Sequence, residues 1–380
     1  MPDLTLVLLG AGKSTRFNKK IKKQWIRIGD DPLWLFISKK FQSFANFNKI
    51  IIVADKKEIN YMKKFASYTF VQGGSERQLS LKNALKEVHT KFVLVSDIAR
   101  VCIKKQLIDN LLSKINEADS IVPYISVSDT VHYQGKYINR NDIKLIQTPQ
   151  LSKSSILKNA LDTLQIFTDE SSAILASGGR VMYIDGSSEA AKLTFFKDLE
   201  KLDCIQPPNK DIFTGIGYDV HPFESGKEMF LGGVKLDVSF GFKAHSDGDV
   251  AIHALIDAIL GAIGAGDIGE LFPDSNDKYK NIDSKILLKE VSDFITVIGY
   301  EIIHIDLNII AQIPKISPYK EEIRQTLSKI LNIDKIKINI KATTTEELGY
   351  IGRKEGLSVQ AIASLKYSNW TLKESNHETI

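Results

Sequence analysis

Leu4-Thr5-Leu6-Val7-Leu8-Leu9-Gly10-Ala11-Gly12 decides the fold of the first half of this chain. A short apolar run bounded by a turn signal reads as a strand buried on both faces, and glycines let the backbone turn sharply at its end. Working outward, 49–54, 92–96 and 120–123 repeat the apolar pattern with amphipathic stretches between them. Strands alternating with helices predict an α/β unit: a doubly wound, mostly parallel, Rossmann-like sheet. Ligands of such sheets bind beyond the carboxyl ends of the strands. Two candidate sites fall there, the Gly10-Ala11-Gly12 turn and Asp97, which directly follows 92–96.

The pattern breaks at Cys204-Ile-Gln-Pro-Pro-Asn-Lys210, where two prolines cannot continue a helix and make a short stiff linker. Beyond it, a strand opening at Phe213, helices over 248–264, 284–298 and 317–331, and strands over 302–311, 336–342 and 357–366 predict a compact α+β domain. The expected organisation is a first domain over 1–205, a linker over 206–211, a second domain over 212–368 and a polar tail over 369–380. No internal repeat is visible.

A chain of 380 residues exceeds a single core, which agrees with two domains. Its 43% hydrophobic and 25% charged residues are ordinary globular composition. The net charge of +4 is small and, apart from Lys19 to Lys23, dispersed, so no nucleic-acid partner is expected. Cys102 and Cys204 lie far apart without metal spacing; they read as thiols of a reducing cytoplasm and argue against a disulfide scaffold. The run Leu4 to Leu9 is too short for a signal sequence, and no stretch approaches the ~20 apolar residues of a membrane span. A cytoplasmic protein without a membrane partner is expected.

The densest chemistry lies later. Asp219-Val220-His221 is followed by His245-Ser246-Asp247-Gly248-Asp249 and then by His253. An extended Asp-x-His turns both side chains to one face, and Asp249, His253 and Asp257 share one stripe of a helix. Zinc takes imidazole nitrogen and carboxylate oxygen, and three protein ligands leave a fourth position for substrate. Taken singly, each of these residues also reads as a solvated turn residue or a satisfied histidine.

In the first half, Gly10-Ala-Gly-Lys-Ser-Thr15 imitates the end of a P-loop but has Val7 where that motif needs glycine. What remains is a glycine turn that brings backbone N–H groups to phosphate oxygens, with Arg16 and Lys23 adding charge. Gly73-Gly74-Ser75-Glu-Arg-Gln-Leu-Ser80 is a second glycine turn entering a helix that Ser75 is placed to cap. Asp97-Ile-Ala-Arg100 suits a carboxylate that holds Mg²⁺ on a triphosphate, and Lys192-Leu-Thr194 supplies another cation. With Asp129-Thr130, Arg140-Asn141, Thr148-Pro-Gln150 and Thr168-Asp-Glu170, this half resembles the cytidylyltransferases that activate 2-C-methyl-erythritol 4-phosphate, over about residues 3 to 200. Ser14, Ile98 and Val101 depart from that family's usual glycine, alanine and proline. The resemblance implies catalytic roles for Arg16, Lys23, Arg140 and Lys192. It implies nucleotide contacts at Gly10, Ala11, Gly12, Gly74, Ser75 and Ser80, and substrate contacts at Asp97, Thr130 and Thr148.

In the second half, Gly266-Asp-Ile-Gly-Glu-Leu-Phe-Pro-Asp274, Ala311-Gln-Ile-Pro-Lys315, Lys341-Ala-Thr-Thr-Thr-Glu346 and Leu348-Gly-Tyr-Ile-Gly-Arg353 follow the histidine cluster. In order and spacing the set resembles 2-C-methyl-erythritol 2,4-cyclodiphosphate synthase over about residues 213 to 367. That family's fold is a small sheet with helices packed on one face. The resemblance implies Zn²⁺ on Asp219, His221 and His253, and substrate contacts from His245, Ser246, Asp267, Tyr350 and Arg353. It implies Lys315 and Thr344 at the cytidine diphosphate, Mg²⁺ on Glu346, and Asp249 and Asp257 orienting the histidines. It further implies trimers with sites between subunits, whereas relatives of the first half are dimers.

Together the two resemblances imply a bifunctional enzyme of isoprenoid precursor synthesis. One site joins CTP to the 4-phosphate of methylerythritol phosphate and releases pyrophosphate; the other closes a cyclic diphosphate and releases CMP. A rival reading is a sugar-nucleotide pyrophosphorylase fused to a zinc phosphohydrolase, with Asp249 as its base. A third is a zinc-stabilised oligomerisation module, which a three-ligand set disfavours because structural zinc sites are closed by four.

Overall fold

The computed structural model describes residues 3–244, 247–272 and 282–371. The chain divides into two compact units, 1–207 and 208–380.

In the first unit, Leu4–Leu9 is completely enclosed and runs parallel to Lys49–Ala54 on one side and Phe92–Asp97 on the other. Thr69–Gln72 extends the parallel half beyond Lys49–Ala54. On the far side, Gln150–Lys153 lies antiparallel between Phe92–Asp97 and Ser120–Ser126. Lys144–Ile146 and Val181–Asp185 also pair with Ser120–Ser126, the latter in parallel. These four additional strands carry little apolar periodicity and were not evident from sequence pattern. Helices Leu33–Phe44, Lys56–Met62, Arg77–Leu85 and Lys105–Ser113 cross between the strands. Val7, Val53, Val93, Leu81 and Ile174 meet in one buried cluster on one sheet face.

The two cysteines correct an expectation. Cys102 and Cys204 form a disulfide. The chain after Lys192 returns along the loop that follows Asp97, where Leu193 N–H donates to the Ala99 carbonyl at 2.9 Å. Val101, Leu193, Leu199 and Leu202 pack together there. That return path brings together two positions 102 residues apart, which spacing alone cannot reveal.

In the second unit, the five-stranded sheet runs Phe240–Phe242, Ile212–Ser225, Gly356–Tyr367, Tyr300–Ile310, Ile338–Thr343. All neighbours are antiparallel except the last pair. Helix Val250–Ala262 packs on one face and is apolar almost all round, so it is buried. Gly215 and Gly217 permit this approach: a Cβ at Gly217 would stand 1.9 Å from the Ala254 carbonyl oxygen. The predicted helix over 317–331 divides into a 3-10 turn Ser317–Tyr319 and a helix Lys320–Leu331, with Pro318 tolerated only in that first turn. On the opposite sheet face, Ile216, Tyr218 and Ile362 are exposed.

Candidate functional site

The turn after the first strand brings the two glycine segments together. Gly10 N–H donates to the Val53 carbonyl at 2.8 Å, and a Cβ on Gly73 would lie 2.3 Å from that of Ala11. Gly12 is open to solvent. Ser75 does not cap the following helix: Glu76 occupies the cap position without a side-chain bond, while Ser80 Oγ accepts the Gly74 N–H at 3.0 Å. The loop is closed from inside the helix, so Ser75 is left exposed.

Asp97 stands at the carboxyl end of its strand and gathers cations. Lys192 Nζ lies 2.5 Å from Oδ2, and Arg77 Nε is 3.4 Å from Oδ1. Burial by itself raises the Asp97 pKa, but Arg77 and Lys192 outweigh it and hold the carboxyl below its ordinary value. An antiparallel bridge between Arg100 and Lys192 delivers the lysine. Lys23 donates from Nζ to the Leu193 carbonyl at 3.0 Å. Burial, then the nearby Lys192 charge, pushes the Lys23 ammonium down to about 8, with Arg16 adding to the effect. Thr148 Oγ1 accepts the Asp97 backbone N–H at 3.4 Å. Arg16, Lys23, Asp97, Thr148 and Lys192 therefore converge. Arg140 and Thr130 do not join them by hydrogen bond or ion pair; Arg140 is exposed and donates to the Ser128 carbonyl. Glu170, fully buried under Arg77, completes the network and was legible only as part of a motif.

The second unit builds a tight triad. One ligand atom each from Asp219, His221 and His253 lies within 4.8 Å of the others. Asp219 Oδ2 is buried, has no hydrogen bond among the described residues, and faces His221 Nε2 at 3.2 Å and His253 Nδ1 at 3.3 Å. The outer nitrogens are engaged. His221 Nδ1 meets the Gly248 carbonyl at 2.9 Å, and His253 Nε2 meets Ser284 Oγ at 3.0 Å. Ser284 Oγ in turn donates to Asp247 Oδ1 at 2.5 Å, leaving its lone pair to accept from the imidazole. These partners assign the tautomers so that both inner nitrogens present lone pairs. An orphaned carboxylate oxygen facing two imidazole lone pairs fits a divalent cation.

Among the described residues, the carboxylates of Asp249 and Asp257 make no hydrogen bond to the imidazoles, which corrects that expectation. Asp249 is fully buried as the cap of helix Val250–Ala262, accepting the N–H groups of Ala251, Ile252, Gly232 and Gly233. Burial raises its pKa, and with its oxygens so occupied it has no access to a hydrolytic water. Asp257 accepts the Ile268 N–H at 2.8 Å. The orienting groups are Gly248 and Ser284. Ser284 lies 31 residues beyond His253 and left no sequence signal.

Asp267 caps the short helix Ile268–Leu271 and accepts the Glu270 N–H. Thr344 Oγ1 donates to Glu346 Oε1 at 2.8 Å, and Tyr350 meets Tyr218 hydroxyl to hydroxyl at 2.8 Å. Arg353 pairs with Glu355 at 2.8 Å. Lys315 is exposed. Among the described residues, no hydrogen bond or ion pair ties Lys315, Thr344, Glu346 or Arg353 to the triad. His245, Ser246, Pro273 and Asp274 lie outside the described residues.

Comparison with known proteins accords with this geometry. Residues 4–206 match the family model for 2-C-methyl-D-erythritol 4-phosphate cytidylyltransferase, and 212–366 match the YgbB family. The chain is 55% identical over 371 residues to the bifunctional enzyme IspD/IspF of Aliarcobacter butzleri, covering 97% of this chain and 99% of that one. It is 54% identical to the enzyme of the same name from Campylobacter fetus, with the same coverage. The solved structure of the bifunctional IspDF from Campylobacter jejuni superposes with a TM-score of 0.87 at 48% identity, covering 97% of this chain and all of the other. The pyrophosphorylase–hydrolase alternative is not favoured. The chain belongs to the bifunctional IspD/IspF family, which unites a 2-C-methyl-D-erythritol 4-phosphate cytidylyltransferase with a 2,4-cyclodiphosphate synthase of isoprenoid precursor synthesis.

Proposed function

We propose that cytidylyl transfer takes place at the cluster of Arg16, Lys23, Asp97 and Lys192, and cyclisation at the triad of Asp219, His221 and His253. In the first reaction the substrate's 4-phosphate oxygen attacks the α-phosphorus of CTP, and the bond to the pyrophosphate oxygen breaks. The nucleophile is already an anion, so no general base is needed. The cations stabilise charge that grows on the phosphoryl oxygens. Gly10, Ala11, Gly12, Gly74, Ser75 and Ser80 line the nucleotide, while Asp97 and Thr148 hold the methylerythritol phosphate. Arg140 acts on the phosphates and Thr130 on the substrate, both from the exposed stretch beyond 126. Mg²⁺ accompanies the triphosphate.

In the second reaction the 2-phosphate attacks the β-phosphorus of the cytidine diphosphate, and CMP leaves. The observation that carries this reading is the buried Asp219 Oδ2, which lies between two imidazole nitrogens and has no hydrogen bond among the described residues. The mixed N/O donors and three-ligand count favour Zn²⁺, which when bound supplies Lewis-acid polarisation of a phosphate oxygen. Ser284 and the Gly248 carbonyl engage the outer nitrogens, so the inner nitrogens of both imidazoles face the position where the cation would sit. Glu346 takes Mg²⁺, Lys315 and Thr344 meet the diphosphate, and His245, Ser246, Asp267, Tyr350 and Arg353 meet substrate.

A trimer of second units supplies these groups across subunits. Its support is the exposed sheet face, where Ile216 (61% exposed), Tyr218 (53%) and Ile362 (39%) stand opposite the helical layer. The linker over 206–211 joins the two domains, and use of CTP supports a cytoplasmic location.

The test follows two products. With CTP, Mg²⁺ and 2-C-methyl-D-erythritol 4-phosphate, pyrophosphate is released, with little from ATP or UTP. With 4-diphosphocytidyl-2-C-methyl-D-erythritol 2-phosphate, CMP and the cyclic diphosphate appear together. CMP accompanied by an open-chain phosphate would overturn the cyclisation.

A further inference from the structure

Lys23 is one of the cations of the proposed triphosphate site, and a chain of contacts starting on another helix holds its backbone. Ser14 Oγ accepts the Lys23 backbone N–H at 3.1 Å and donates toward Gln24 Oε1 at 3.4 Å. The Gln24 amide donates to Glu58 Oε2 at 3.2 Å, and the Trp25 indole N–H donates to the same oxygen at 2.7 Å. The Lys22 ammonium reaches the other oxygen, Oε1, and also Asp55 at 2.9 Å. Glu58 lies on helix Lys56–Met62 and is only 2% exposed.

The residues on either side of Lys23 are thus drawn to one buried carboxylate, while the Lys23 side chain goes the other way, to Leu193 and the Asp97–Lys192 pair. Ser14 is held at φ 56°, a left-handed conformation that favours glycine. A serine there bears strain, and its hydroxyl makes the contact that glycine lacks.

We propose that Glu58 and Ser14 are positioning residues for Lys23: Glu58 anchors the flanking side chains and Ser14 fixes the Lys23 backbone, so that the ammonium is presented to the triphosphate. This inference rests on reading Lys23 as a triphosphate-binding cation. A purely structural role would leave activity in proportion to folded protein.

The experiment compares Lys23→Ala, Ser14→Gly and Glu58→Gln in the full chain, with CMP release by the second unit as internal control. Lys23→Ala is expected to lose pyrophosphate release by at least about a hundredfold. Ser14→Gly is expected to unfold at an equal or higher temperature, because its backbone strain is relieved, yet to lose about tenfold in kcat/KM for cytidylyl transfer. Its alkaline limb, near pH 8 in the parent, moves upward as Lys23 reaches solvent. Glu58→Gln keeps one acceptor oxygen and loses about tenfold or more. Full pyrophosphate release by Lys23→Ala sinks the reading of Lys23 itself. If Lys23→Ala is inactive but Ser14→Gly keeps the parental kcat/KM and pH limb, the positioning inference is overturned. Ser14→Gly decides the matter even where Glu58→Gln fails to fold.

Discussion

Arg77 grips the fully buried carboxylate of Glu170 with both terminal nitrogens, at 2.8 and 3.3 Å. Its Nε meanwhile faces Asp97 at 3.4 Å. Burial pushes the Glu170 carboxyl up, the Arg77 guanidinium opposes it, and the Asp97 and Asp169 charges add to the rise. Arg77→Ala therefore strands a buried charge and should lower the stability of the first unit by about 3–5 kcal/mol. Urea unfolding followed by the fluorescence of Trp25 and Trp34, both in that unit, measures it. Arg77→Met combined with Glu170→Leu should cost much less, because no unpaired charge remains.

The pH dependence of cytidylyl transfer should show the Lys23 ammonium. With its pKa pushed down to about 8, the cation is present below that pH and lost above it. At subsaturating CTP, kcat/KM should fall tenfold per unit above about pH 8, while saturating nucleotide, whose phosphates favour the charged form, moves the limb of kcat upward. The same shift has a stability sign. The unfolded chain binds more protons between about 8 and 10.5, so this group's contribution to stability rises with pH across that window. A rate profile flat to pH 10 would rule out Lys23 as the titrating cation.

Metal removal should separate the two activities. His221→Ala should abolish metal retention by the second unit, measured by elemental analysis, and CMP release with it, while pyrophosphate release persists. Ser284→Ala leaves all three ligands but frees the His253 ring, and should weaken metal affinity by about 10–100-fold in a chelator competition. Equal affinity in the two proteins would mean the Ser284 contact does not orient the ring.

Gly217→Ala should disrupt the second unit. The new methyl would meet the Ala254 carbonyl at 1.9 Å and further helix backbone at 2.8 Å, so helix Val250–Ala262 must move off the sheet and carry His253 with it. Overpacking of backbone on backbone should cost about 3 kcal/mol or more. Circular dichroism melting and the metal content of any folded fraction check this outcome.

Local pattern and motif order in the amino-acid chain determined the core strands, the break after Cys204 and the Asp219–His221–His253 triad. Leu4–Leu9 and Lys49–Ala54 were legible because strands buried on both faces are continuous apolar runs. Asp219, His221 and His253 were legible because period-2 and helical spacing place such groups without reference to distant chain. Tertiary structure alone decided what requires segments far apart in sequence to meet. The antiparallel strand Gln150–Lys153 is defined by its neighbours, and the Cys102–Cys204 disulfide by the return of the chain past Asp97. Asp249 became a helix cap because four N–H groups surround it, and Ser284 holds the His253 ring in the role expected of Asp249 and Asp257. Glu58 gathers Lys22, Gln24 and Trp25 across more than 30 residues. Periodicity fixes the face a side chain occupies, but a hydrogen-bond partner is fixed only when packing brings another element within about 3 Å.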